Sequence, residues 1–409
     1  KNQVNCEQMM ASVQAAGHTI QAQPEGADVV VVNTCGFLQS ACEEAIDNIL
    51  EMAELKKAGQ VKKILVTGCM TQRYKEDIFH ELPEVDGLLG TGSYGDIATA
   101  IAEVMEKGEK PCHLGNIHTA NQSGERILST PPWYAYLRIA EGCDNHCAYC
   151  VIPSLRGKYR SRPMNELLDE AAELASAGVK ELIVIAQDIT KYGMDLPEHK
   201  RLLPELLREL CKMDFTWIRL HYLYPDQITD ELIDVIADEP KIVKYLDIPL
   251  QHVSKRILRA MHRPGDGAEF TRLIEDMRER IPGLVLRTSL IVGLPGETED
   301  EFAELCEFLQ NVGIERVGVF EYSPEEGTEA AELPDQIDDE TKQNRRLIVE
   351  ELQSGVLDDY NTSRHGEVMQ VLCEGFDEEQ GLWYGRTYAD SVEVDGHVYF
   401  DAADNEPAE

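Results

Sequence analysis

The chain has 409 residues, of which 38 are lysine or arginine and 75 aspartate or glutamate, for a formal net charge of −37. That length exceeds a single compact core and calls for two or three domains. No run of eighteen apolar residues occurs and KNQVNCEQMM is no secretory signal, so a soluble, cytoplasmic protein is expected. Eleven cysteines in such a chain point to metal binding, catalysis or burial rather than a disulfide framework. A field this negative repels phosphate backbones and attracts basic partners.

Residues 1–115 read as an α/β domain on a parallel sheet. VNCEQMMASVQAAG (4–17) has the pattern of a helix. ADVVVVNTC (27–35) and KKILVTGC (62–69) are short, β-branched runs that stop at turn residues, as buried parallel strands do. SACEEAIDNILEMAELKKAG (40–59) between them is helical and ends in Gly59, which completes a βαβ unit. Cys35 and Cys69 each fall just past the carboxyl end of a strand, where open parallel sheets place their ligand sites. The polar stretch 116–130 lacks periodicity and reads as a linker.

From 131 to 337 strand and helix alternate. YAYLRIAEG, ELIVIAQD, TWIRLHYLYP, YLDIPLQ, LVLRTSLIVG and RVGVFEYS supply six strands; MNELLDEAAELASAG and TEDEFAELCEFLQNVG are among the helices between them. Six such units predict a partial (β/α) barrel with its chemistry at the carboxyl ends of the strands. A connecting helix follows at 338–362. In 363–409 the alternating runs GEVMQVLCEGF, LWYGRTYAD, SVEV and HVYF predict a small antiparallel β-barrel. Residues 364–409 carry two basic residues, Arg364 and Arg386, against twelve acidic ones, and no lysine.

EGCDNHCAYC (141–150) sets Cys143, Cys147 and Cys150 at C-x3-C-x2-C spacing. Zinc would need a fourth ligand, for which His146 is available. Three thiolates on a short loop can instead hold three irons of a 4Fe–4S cluster and leave the fourth open to substrate. The spacing, with Tyr149 before the last cysteine, resembles the radical S-adenosylmethionine enzymes. That resemblance implies an open iron that takes the amino and carboxylate groups of S-adenosylmethionine, whose reductive cleavage yields a 5′-deoxyadenosyl radical able to attack an unactivated C–H bond. It also implies cofactor contacts from Tyr149, from Gln187 and Asp188 in AQD (186–188), and from Gly293, Gly296 and Glu297 in SLIVGLPGETEDEF (289–302). Gln251 and His252, at a strand end in PLQHVSKRILRAMHRPG (249–265), are further candidates; a lone histidine is more often structural.

Sheet domain, barrel and terminal β-module together resemble the methylthiotransferases along nearly the whole chain. In that family three cysteines of the first domain hold a second 4Fe–4S cluster. NTCGF and TGCM match two of its ligand motifs, so Cys35 and Cys69 carry over. The family's remaining motif, Gly-Cys, one variable residue, Lys-Asn, meets this chain at Lys1-Asn2, which puts the third ligand upstream of Lys1 together with a first strand. Cys6, in a helical stretch, does not replace it. Cys42, Cys112, Cys211, Cys306 and Cys373 lack ligand context and are expected to fill core positions.

One branch of the family modifies a tRNA adenosine; the RimO branch modifies the β-carbon of an aspartate in the small-subunit ribosomal protein of the decoding centre. IAQDITKYGMDL, HYLYP and EYSPEEGTEAA resemble the second branch. Charge agrees independently, since a TRAM-type module gripping tRNA should be basic. The resemblance further implies a flavodoxin-like electron donor, and a monomer is the default expectation. A tRNA methylthiotransferase and a non-catalytic, metal-stabilised ribosome-binding protein are the alternatives.

Overall fold

The computed structural model describes residues 1–120 and 123–402. These divide into two compact units: residues 1–120, 123–131, 138–166 and 323–332, and residues 132–137, 167–322 and 333–402.

The first unit is built on a four-stranded parallel sheet. Its strands β1 (Val29–Thr34), β2 (Lys63–Gly68), β3 (Gly87–Gly92) and β4 (Cys112–Gly115) lie side by side in that order. Alternation along β1 gives each face its own core. Val30 and Val32 pack with Cys42, Ala45, Ile49 and Ala53 of helix Gln39–Lys57; Val29 and Val31 pack with Met9 of helix Asn2–Ala15 and with Ile97, Ala100 and Ile101. The glycine-rich β3 and the four-residue β4 carry too little β-branched character to stand out in the sequence.

The second unit contains a six-stranded sheet, β5 (Tyr134–Arg138), β6 (Glu181–Ile185), β7 (Trp217–Leu220), β8 (Ile242–Asp247), β9 (Val285–Val292) and β10 (Arg316–Glu321), with neighbours in chain order. Helices Met164–Ser176, Leu203–Leu210, Asp230–Asp238, Gly267–Arg280 and Glu299–Val312 supply the crossovers, so the unit is the expected partial barrel. Thr298 opens the last of these with a reciprocal capping box to Glu301. Helix Asp339–Ser363 follows, capped by Asp338.

The C-terminal module is a three-stranded antiparallel sheet of β11 (Leu372–Asp377), β12 (Leu382–Arg386) and β13 (Val398–Phe400). SVEV (391–394), expected as a strand, is a turn instead. The Asp395 carboxylate accepts from Ser391 N at 2.8 Å and from Tyr245 Oη at 2.7 Å, which folds this stretch against the barrel. Tyr360, Leu372, Tyr388 and Ala389 pack against Trp217, Val243, Tyr245 and Val285.

A buried ion network fastens the module there. Glu181 Oε1 accepts from Arg219 Nε at 2.6 Å, and Glu181 Oε2 from an Arg386 amino group at 2.6 Å; all three side chains are fully buried. Arg386 also pairs with Glu374 at 2.8 Å, and Arg219 stacks over the Tyr245 ring. Truncating one member of such a network strands the other charges away from water. Glu181→Ala is therefore expected to cost about 3–5 kcal/mol, read as a fall in the urea midpoint, whereas a surface Glu→Ala change stays within about 0.5 kcal/mol.

Candidate functional site

In the first unit Thr34 pairs with Gly68 across β1 and β2, so the next residue of each strand, Cys35 and Cys69, emerges at the same edge. Two glycines permit the close approach. Gly68 has φ +107° and a Cβ there would lie 2.3 Å from Thr34 O; a Cβ on Gly36 would lie 2.5 Å from Met70 N. Cys35 is exposed and Cys69 buried. The Cys35 loop is braced by Arg73, which donates to Gly36 O at 3.2 Å and to Glu325 Oε2 at 2.8 Å. Glu325 Oε1 in turn accepts from Gln39 N at 3.0 Å. Asn2 donates to Thr34 O at 3.0 Å, and Asn33 donates to Asn2 O at 3.1 Å.

Cys143, Cys147 and Cys150 lie in the same unit. Cys143 and Cys147 are buried and Cys150 is half-buried, as is Tyr149 between them; His146 is exposed, with φ +47°. The loop is tied at its base by Cys143 N to Gly157 O at 3.1 Å and turns through Cys150 N to Cys147 O at 2.9 Å. The helix that leaves it, Ile152–Arg156, packs onto the other cysteine site. Val151 and Leu155 form one buried cluster with Cys69, flanked by Phe37.

One carboxylate anchors this arrangement. Glu141 accepts from Arg138 and Arg156, each at 3.0 Å, and from Gly142 N at 3.2 Å. Burial pushes its carboxyl up, but the two guanidiniums and the amide outweigh it and hold the group at about 2. Arg156 also reaches Asn2 Oδ1 at 2.8 Å. Burial raises Cys69, and the Arg156 guanidinium opposes that shift. Sequence reading gave no hint of Glu141, Arg138 or Arg156, because nothing local shows that these charges are buried together; an arginine six places after the last cysteine was the one available signal.

In the second unit the remaining candidates sit at the carboxyl ends of β6, β8 and β9. Asp188 is buried and accepts from Thr190 N at 3.0 Å, while Gln187 Oε1 is buried with no hydrogen-bond partner. Gln251 has φ +72° and is stitched to β9 by Gln251 N to Ser289 O and Ile291 N to Gln251 O, both 2.8 Å. Gly293 and Gly296 both have φ +73°, the conformation that favours glycine, and a Cβ on Gly293 would meet the Lys342 stem at 2.3 Å.

Glu297 does not start the following helix. Its carboxylate folds back to accept from Gly293 N at 2.8 Å, Leu294 N at 3.1 Å and Arg345 at 2.9 Å, so it braces the glycine loop. Burial pushes it up to about 7 against those three donors. His252 Nδ1 accepts from Ser254 N at 3.0 Å, and its Nε2 lies 3.8 Å from Glu297.

Three matches with family models span the chain: "Radical SAM superfamily" over residues 137–309, "Uncharacterized protein family UPF0004" over 1–90 and "TRAM domain" over 366–408. A curated protein of Anaeromyxobacter sp. (strain Fw109-5), "Ribosomal protein uS12 methylthiotransferase RimO", is 48% identical across 98% of this chain and 85% of its own length. The protein of that name from Caldanaerobacter subterraneus subsp. tengcongensis is 48% identical across 98% of this chain and 91% of its own. The chain belongs to the RimO family. It is thus a radical S-adenosylmethionine methylthiotransferase, with S-adenosylmethionine and 4Fe–4S chemistry. Among solved structures, the radical methyltransferase TsrM of Kitasatospora setae matches with TM-score 0.55 and 15% identity over 76% of this chain and 64% of that one, a likeness of fold alone.

One backbone amide faces a sulfur of the Cys143–Cys150 loop. Asn145 N points at Cys143 Sγ from 3.5 Å. Amides aimed at sulfur stabilise thiolate ligands. Burial pushes the Cys150 thiol up to about 12, so metal binding there must displace its proton. Among the described residues no helix is long and apolar enough to cross a membrane.

Two outcomes follow from this geometry. Gly68→Ala forces a side chain into Thr34 O at a left-handed φ and is expected to lower stability by about 1–3 kcal/mol in urea unfolding. His252 is held by burial at about 4, below its ordinary 6.5, so the folded state binds fewer protons than the unfolded chain between those values. Its contribution is present above pH 6.5 and is lost as pH falls towards 4. His252→Asn, which keeps an acceptor for Ser254 N, should lose less stability than the parent between pH 7 and pH 4.5.

Proposed function

We propose that the chain carries two 4Fe–4S clusters and inserts a methylthio group at the β-carbon of an aspartate in ribosomal protein uS12. Cys143, Cys147 and Cys150 are the ligands of the radical cluster. Cys35 and Cys69 are ligands of the second cluster. The observation that carries the reading is the packing of the helix after Cys150 onto Cys69, which gathers five thiols of both motifs in one compact unit. When bound, the two clusters and S-adenosylmethionine supply the hydrogen-abstracting radical and the methylated sulfur.

The protein's own contribution is positioning and exclusion of water. The Asn145 amide stabilises thiolate charge at the radical loop. Gln187, with its unpartnered Oε1, and Asp188 are assigned to the amino group of S-adenosylmethionine; Tyr149 and Gln251 to its further contacts; and Gly293, with Gly296, to backbone approach at the adenine. Glu297 acts on that loop from behind. The acidic C-terminal module, with two basic residues against twelve acidic, steers a basic ribosomal protein and disfavours tRNA. The enzyme takes its electron from a flavodoxin-like donor and works as a monomer in the cytoplasm.

Cysteine variants of reconstituted full-length protein test the assignment. Cys143→Ala, Cys147→Ala or Cys150→Ala should abolish 5′-deoxyadenosine formation. Cys69→Ala should retain it, yield no methylthio product and lower iron from about eight to about four per chain. Wild-type 5′-deoxyadenosine formation by Cys147→Ala would contradict the radical-cluster ligands; an unchanged iron count in Cys69→Ala would contradict the second set.

A further inference from the structure

Arg156 ends the short helix that leaves the Cys143–Cys150 loop, yet its guanidinium serves the other cysteine site. It donates to Glu141 Oε2 at 3.0 Å and to Asn2 Oδ1 at 2.8 Å, and Leu155 beside it packs against Cys69. Arg156 is 5% exposed and Cys69 4%, so salt and water do little to screen this charge. A planar guanidinium holds the carboxylate and the amide oxygen together in a fixed fork, which an ammonium cannot reproduce. Asn2 carries the contact on to Thr34 O, the carbonyl that precedes Cys35.

We propose that Arg156 is a positioning residue for the cluster of Cys35 and Cys69: it sets the electrostatic potential at that cluster, while Glu141 attenuates its charge. This rests on Cys35 and Cys69 being cluster ligands. A one-electron reduction adds negative charge to the cluster, which a fixed cation in a low-dielectric site favours, so Arg156 raises the potential and Glu141 lowers it. Val151 and Leu155, on the same segment, pack against Cys69, so the group that tunes the second site is held by the loop of the first.

The test is redox potentiometry, followed by electron paramagnetic resonance, on full-length protein reconstituted with iron and sulfide. A background lacking Cys143, Cys147 and Cys150 leaves one cluster to titrate. Arg156→Gln should shift the midpoint to more negative potential, Arg156→Lys should shift it less, and Glu141→Gln should shift it to more positive potential. The opposite signs separate electrostatics from mere disturbance of a salt bridge, which would move both variants alike. A midpoint unmoved in iron-loaded Arg156→Gln, or moved the same way in Arg156→Gln and Glu141→Gln, overturns the proposal alone. Absence of iron from the background protein overturns the ligand assignment on which it rests.

Discussion

A carboxylate held between two guanidiniums, Glu141, fixes the geometry on which the cysteine sites depend. It stands two residues before Cys143 and accepts from Arg138, Arg156 and the Gly142 amide. Gly142 is pinned in turn: its φ is +78°, and a Cβ would lie 2.1 Å from Lys158 O. The cysteine loop therefore begins at a defined point and returns to it through Cys143 N and Gly157 O. Arg138 extends the same network to Asn5 and Gln8 of helix Asn2–Ala15, and Arg156 to Asn2. A buried charge set like this gives modest net stability but strong specification, because each partner left alone would be costly.

The second unit uses similar means to a different end. Glu181, Arg219 and Arg386 lock the C-terminal module onto the beginnings of the barrel strands. The opposite strand ends remain available to loops, and there the backbone departs from ordinary conformations, with Gln251, Gly293 and Gly296 all at positive φ. Stability concentrated at one end and irregular, brace-held loops at the other is the division of labour that α/β barrels allow.

Much of this was legible in the sequence because its signals are local. The β-branched runs at 29–34 and 63–68, the C-x3-C-x2-C spacing and the capped helix after Thr298 each depend on neighbours a few residues apart. Strand β3 was hidden because GLLGTG lacks β propensity and is held by burial between neighbours instead. SVEV alternates like a strand, but Asp395 commits its backbone to a turn, a tertiary decision that alternation cannot report. Nothing local marks Glu297 as a brace, and only its bonds to Gly293, Leu294 and Arg345 show it as one. Glu141 and Arg156 stayed invisible for the same reason: their meaning lies in contacts that spacing along the chain does not encode.

The most direct test of the account is mass spectrometry after the anaerobically reconstituted, full-length enzyme has acted, with S-adenosylmethionine and reductant, on ribosomal protein uS12 and on unmodified tRNA in parallel. The account predicts a gain of one methylthio group on an aspartate of uS12 and none on tRNA. The same gain on a tRNA adenosine, with uS12 unchanged, would contradict it.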